Sequence, residues 1–383
     1  MAALVRRLRS IDLAEECLAE AALRAQAAWG AAPPADASGW LYVTALRCGV
    51  DRLRRATRFP QEDVDALDLE AAAPPAETPD DRLALYFLCA HPALSTDAQI
   101  ALMLRLVAGL PVAEIARAFL ADAPTILQRI TRAKAKVAAA GLPFEAPPKA
   151  QWAERLPPLL SALSIVYDQS YVDVGGGVEP EALGREATLL AETVAALSDH
   201  PEAHGLAATI RFCESRRPAR IDRDGAMIPL DQQDPKLWRR ADIDAAAEHL
   251  RRAARRRAPG PFQVMALIHA AHARRIAGEP APTEEIAHLY DALLRLEPSP
   301  VVALNAALAR AAAGASDDAL VAVERLAEAH DLDDWQPYHA AHADLLRRAG
   351  RRAESQAAYA RAIALAKGRA ERLYLEARLR SLG

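Results

Sequence analysis

Apolar residues recur three and four positions apart along almost the whole chain, and nowhere does a strand-like alternation persist. Ala, Leu, Arg and Glu, all tolerant of helix, fill the positions between. The pattern predicts an all-α protein. It breaks at 30–38 (GAAPPADAS), 59–80, 141–150 (GLPFEAPPKA), 172–180 (VDVGGGVEP), 218–235, 258–261 and 278–283, where Pro, Gly and small polar residues gather. These breaks predict a small helical domain at 1–58, a linker at 59–80 and a second small helical domain at 81–140. A helical extension follows at 151–284 and 285–383, with the Pro-rich stretch 141–150 as the strongest boundary.

In the last hundred residues the helices are predicted at 285–296, 301–313, 316–329, 336–349, 352–366 and 370–381. The stretch YDALLRLEP, with Tyr290 eight residues before Pro298, resembles the closing signature of a tetratricopeptide (TPR) repeat. GRRAESQAAYARAIALA, 350–366, has the matching spacing of Gly350, Tyr359 and Ala362, with Ser355 where an alanine is expected. Helix pairs stacked into a short solenoid would bury the apolar face that each pair alone leaves in water. An irregular α bundle is the other arrangement this pattern allows.

One stretch carries candidate chemistry. In LPVAEIARAFLADAPTILQRITRAKAKV, 110–137, Val112, Ile115, Ala116 and Phe119 share one helical face, and the break ADAPT follows. Asp122 suits an N-cap and Pro124 a first turn. In the second helix Ile126, Leu127, Ile130 and Val137 are predicted to face inward, while Thr125, Gln128, Arg129, Arg132 and Lys136 project outward. That is the layout of a helix-turn-helix, whose second helix enters the major groove. Arginine pairs bidentately with guanine and glutamine with adenine, and Lys134 and Lys136 would serve phosphates. Helical hairpins without DNA look alike at this level.

Charge sharpens the picture. The net charge is only −4 over 383 residues, but it is unevenly placed. Residues 39–58 carry Arg47, Arg52, Arg54, Arg55 and Arg58 against Asp51 alone, whereas 61–81 carry eight acids and no base. Residues 125–137 are again purely basic. Two basic helices flanking an acidic linker suit a two-contact DNA binder, or solvated faces around a loop. No apolar run approaches the roughly 18 residues of a membrane span, and the N-terminus turns acidic too early for a secretory signal. Cys17, Cys48, Cys89 and Cys213 lie far apart without a CxxC pair, as reduced core thiols of a cytoplasmic protein would.

SIDLAEECLAEAALRAQAAW (10–29) and DASGWLYVTALRCGVDRLRRATR (36–58) resemble regions 2.2 to 2.4 of extracytoplasmic-function (ECF) sigma factors of bacteria. Residues 80–137 resemble their region 4. LSIVYDQSY, ARIDRDGAMIPLDQQDPKLW, APGPFQVMALIHAAHA and LYDALLRLEPSPVVALNAALA are similar to the long, TPR-containing extension of one ECF subgroup. The resemblance implies a protein that binds core RNA polymerase and promoter DNA. Asp12, Glu15 and Glu16 match the surface that docks on polymerase. Trp40, Arg47, Asp51, Arg52, Arg54 and Arg55 match the helix that captures the melted −10 strand, arginines following phosphates while bases stack or enter pockets. Trp40 also suits a core anchor. Thr125, Gln128, Arg129, Arg132, Lys134 and Lys136 fall on the −35-reading helix. The region 2 match begins about ten residues in, so most of the relatives' first helix has no counterpart here. The extension would take a protein partner or fold back on the sigma domains, and Tyr167, Asp168, Gln169, Ser170 and Tyr171 replace a common motif within it.

An enzyme is the first rival reading. His269 with His272 and His339 with His342 are i,i+3 pairs, but no HExxH, GxSxG, phosphate loop or dinucleotide fingerprint accompanies them. CAHPAL makes Cys89 and His91 poor metal ligands. DRDGAM resembles a calcium loop, yet Arg220 and Asp231 would take the first and twelfth ligand positions, and a turn at Gly225 is expected instead. Neither catalysis, metal nor cofactor is expected. The second rival is a TPR-like interaction scaffold whose sigma module no longer initiates transcription.

Overall fold

Helix-forming stretches separated by Pro and Gly fold as the pattern predicts in a computed structural model that describes residues 1–29, 33–55, 79–107, 109–119, 121–140, 147–148, 151–170, 180–257 and 259–382. Among these the protein is all-α. The only strand-like pairing among the described residues is an isolated bridge between Ile221 and Met227. Most of the acidic linker, with Arg58 and Tyr171, lies outside the described residues. Two compact units, Met1–Val166 and Tyr167–Gly383, make up the chain.

The first unit begins with α1 (Ala2–Leu8), α2 (Ile11–Trp29) and α3 (Ala37–Arg55). Leu4, Val5 and Leu8 of α1 pack on Cys17 and Ala21 of α2 and on Ala45, Cys48 and Val50 of α3. The small residues in α2 and α3 let the helices approach: a Cβ on Gly49 would lie 2.6 Å from a methyl of Leu8. Then come α4 (Pro79–Cys89), α5 (Thr96–Leu102, continued by a π turn over Met103–Val107), α6 (Val112–Ala118) and α7 (Ala123–Ala139). The next helix, α8 (Trp152–Gln169), starts against this group, its Trp152 ring 5.7 Å from Phe87. The division between the two units runs inside α8, after Val166.

The second unit contains α9 (Pro180–Ser198), α10 (Pro201–Arg216), α11 (Arg240–Ala254) and α12 (Pro261–Ala273), with short 3₁₀ turns between α10 and α11. Six further helices follow: α13 (Thr283–Leu296), α14 (Pro300–Ala312), α15 (Ser316–Ala329), α16 (Gln336–Arg348), α17 (Arg352–Leu365) and α18 (Arg369–Arg380). Each packs mainly on its sequence neighbours. Tyr359, Ala362 and Ser355 are buried, and Ser355 Oγ donates to the Ala343 carbonyl across the α16–α17 contact at 2.8 Å. A serine at this small-residue position therefore keeps the close approach and satisfies its hydroxyl. The turns before α15 and α17 use Gly314 (φ 104°) and Gly350 (φ 75°), left-handed positions that favour glycine.

No helix among the described residues is long and apolar enough to cross a membrane. Several buried charged groups in the second unit are paired. Arg211 binds Glu192 and Asp242, each at 2.7 Å, and Arg217 clasps Glu214, which also accepts from the Tyr167 hydroxyl at 3.0 Å. Glu202 reaches from α10 to accept from the first backbone N–H groups of α12, at 2.9 Å from Phe262 and 3.2 Å from Gln263.

Candidate nucleic-acid interface

The helix α7 exists because its start is capped and one of its stripes is apolar. Asp122 accepts from the Thr125 backbone N–H at 2.8 Å, and these Thr125 bonds hold its carboxyl below the usual range. Ile126, Ile130, Ala133 and Val137 form the buried stripe, spaced four, three and four apart. Burial of Ile126 and Ile130 contributes about 1.5–3 kcal/mol each. Leu127, expected inward, is instead 54% exposed. One residue along a helix rotates by about 100°, so once Ile126 and Ile130 face the core, Leu127 cannot. Opposite, α6 buries Ile115 and Ala116, the small residue expected at the crossing.

Thr125, Gln128, Arg132 and Lys136 are exposed on α7, and Gln128 and Arg132 make no side-chain hydrogen bond or ion pair among the described residues. Lys136 Nζ donates to the Ala93 carbonyl. Arg129 is different. Its guanidinium lies 5.1 Å from the centroid of the Phe119 ring and 3.4 Å from the Asp97 carboxylate, so here it braces the hairpin. Lys134 is half-buried and turns to the other side of the helix. Its ammonium bonds Asp12 at 2.6 Å and Glu15 at 2.9 Å. Burial opposes that charge, but the bonds to the two acids outweigh it and raise the lysine above its ordinary range.

The acids expected to face polymerase are thus placed against the chain's own bases. Glu15 also accepts from Arg105, whose guanidinium further holds the Leu110 carbonyl at 3.2 Å. Glu16 and Glu20 take Arg52, the latter at 2.9 Å. Arg105, Asp97 and Glu20 were not singled out from sequence. The signal for Arg105 was a lone charge inside the apolar run LMLRLV.

Of the −10 candidates, Arg47, Arg54 and Arg55 are exposed on α3, and Arg47 and Arg55 make no hydrogen bond or ion pair among the described residues. Trp40 is half-buried in an edge-to-face pair with Trp29, centroids 5.3 Å apart. Asp51 is exposed on the same helix. The face of α3 around Arg47, Arg54 and Arg55 and the outer face of α7 are the two basic surfaces the sequence predicts.

Several of the thiols and imidazoles sit in structural contacts. Cys48 Sγ lies 2.9 Å from Glu20 and is pushed up to about 12, chiefly by burial. His269 contacts Cys213 Sγ at 3.6 Å and Arg216 at 3.1 Å, and burial holds it well below its ordinary value. His339 bonds the Asp333 carbonyl at 2.9 Å, while His342 lies 3.6 Å from Glu324. No three His, Cys, Asp or Glu side chains converge as metal ligands among the described residues.

A family model described as sigma-70, region 4 matches residues 84–137, the span of α4 to α7. A second, described as a family of unknown function (DUF6596), matches 155–254. The uncharacterized protein R00370 of Rhizobium meliloti (strain 1021) is 41% identical over 391 residues, covering 99% of this chain and 92% of that protein.

Proposed function

Since the chain belongs to one family with R00370 of Rhizobium meliloti and carries a sigma-70 region 4 domain, we propose that it is an ECF-type sigma factor. In this reading it binds core RNA polymerase and directs it to a −35/−10 promoter pair. Polymerase performs the bond chemistry, so the chain itself is no enzyme. The observation that carries the reading is α7: a capped helix within the region 4 match, with Thr125, Gln128, Arg132 and Lys136 presented together outside an apolar stripe. Gln128 and Arg132 would read base edges and Lys136 would serve phosphates. Arg47, Arg54 and Arg55 would follow the −10 strand, with Asp12, Glu15 and Glu16 meeting polymerase. The helix pairs from α13 onward form a TPR-like regulatory extension.

One observation favours the alternative of a scaffold that no longer initiates transcription. Two cations expected from sequence to meet DNA, Lys134 and Arg52, are neutralised by Asp12, Glu15, Glu16 and Glu20. Run-off transcription with core polymerase on the cognate promoter separates the readings. The full chain should give promoter-dependent product, and Gln128→Ala with Arg132→Glu should lower it at least tenfold while core binding persists, each lost bidentate base contact being worth about 1–3 kcal/mol. Undiminished product from the double variant would remove α7 from the −35 role. Absence of any product with the intact chain would favour the scaffold.

A further inference from the structure

A cleft of about 1070 Å³ opens within the second unit, between the loop 220–227 and the helix junctions that precede α16 and α18. Its shape is fixed by local bonds. Asp222 accepts from the backbone N–H groups of Asp224 and Ala226, Gly225 turns at φ 86°, and the Met227 N–H donates to the Ala370 carbonyl at 3.0 Å. The volume is that of a site for a small organic molecule.

The charges lining it do not balance. Among the described residues, five cations line the cleft against three acids. Arg217 is committed to Glu214, and Arg220 has partners within the fold. Arg223, Lys367 and Arg369 make no hydrogen bond or ion pair among the described residues. Of the acids, Asp334 is given to Arg361 at 2.8 Å. Glu371 is half-buried, and burial raises its carboxyl so that it holds its proton more readily. Asp224 is the remaining acid. The start of α18 adds to the same sign: its N-cap is Gly368, which offers no side-chain acceptor to the first-turn N–H groups. Trp335, Pro337 and Leu365 form an apolar wall beside these cations.

We propose that this cleft binds a small amphipathic anion, its phosphate or carboxylate held by Arg223, Lys367 and Arg369 and its apolar or aromatic body lying on Trp335 and Leu365. Three cations without partners among the described residues, next to an aromatic ring, supply charge-assisted bonds at one end and apolar burial at the other. Binding here is independent of promoter recognition, because every residue involved belongs to the second unit and the measurement needs neither polymerase nor DNA.

Calorimetric titration of the full chain with phenyl phosphate, benzoate and inorganic phosphate, against chloride at equal ionic strength, tests the proposal. Phenyl phosphate or benzoate should bind with one-site stoichiometry, and phenyl phosphate at least tenfold tighter than inorganic phosphate. Lys367→Gln with Arg369→Gln should weaken binding tenfold or more without moving the thermal midpoint of the free protein. Trp335→Leu should erase the preference for phenyl phosphate over inorganic phosphate. Should the Lys367/Arg369 variant be poorly folded, Arg223→Gln, on an exposed loop residue, supplies the same test of the anion end through a weakened affinity. Heats indistinguishable from chloride at millimolar ligand, or affinity unchanged in the Lys367/Arg369 variant, overturn it.

Discussion

Glu192 accepts two bonds from Arg211, at 2.7 and 2.9 Å, and lies 3.7 Å from His249. Burial opposes its charge, but the nearby His249 and the bonds from Arg211 prevail and hold the carboxyl down at about 2. An unfolded glutamate titrates near 4.3, so this depressed group stabilises the fold fully above that pH. The contribution is lost as pH falls from about 4 towards 2. Glu192→Gln should therefore lower stability by about 1–3 kcal/mol at pH 7, with the difference from the parent shrinking below about pH 4 and closing towards about pH 2. Thermal melts from pH 7 to 2.5 check this, and a difference constant with pH would refute it. None of this was legible in sequence, because Glu192, Arg211 and Asp242 stand on three helices. At the same scale, the cap at Asp122 was legible because its partner is only three residues away, whereas the Phe119 and Asp97 contacts of Arg129 were not. The turn at Gly225 was legible too, but its bond to α18 was not.

Among elements, the crossing of α10 and α12 rests on Gly205. A Cβ there would lie 2.6 Å from the Gln263 backbone nitrogen and 2.8 Å from the Phe262 carbonyl carbon. Backbone cannot swing aside as a side-chain tip can, so Gly205→Ala should destabilise the protein by about 1–3 kcal/mol despite alanine's better helix propensity. The shift should also disturb the Glu202 cap on α12, one turn away. A denaturation midpoint at or above that of the parent would show that the helices separate freely. In the first unit, Ile130→Ala should cost about 2–5 kcal/mol and weaken DNA binding together with folding, as circular dichroism melts and gel shifts would register. Helix positions from 283 onward were readable within about two residues, since strong periodicity and flanking Gly or Pro mark both ends. Which residue of a helix faces the core was less secure: with Ile126 and Leu127 adjacent, both apolar, only the packing partner chooses between them.

For the molecule as a whole, the all-α class followed from periodicity and breaks, which are local properties. The cleft and the bonds between α2 and α7 did not, for Asp12 and Lys134 are 122 residues apart. Those bonds carry a thermodynamic consequence. Under the proposed role, Lys134 cannot hold Asp12 and Glu15 while it serves a phosphate, and the acids cannot meet polymerase while they hold Lys134. The factor by which polymerase then tightens promoter DNA must equal the factor by which DNA tightens polymerase. Asp12→Asn with Glu15→Gln should steepen the logarithmic salt dependence of DNA binding by about 0.9, the value of one added phosphate contact. An unchanged slope in equilibrium titrations would mean that Lys134 reaches no phosphate. One ammonium group exchanged between two sets of anions is enough to make two distant binding events report on each other.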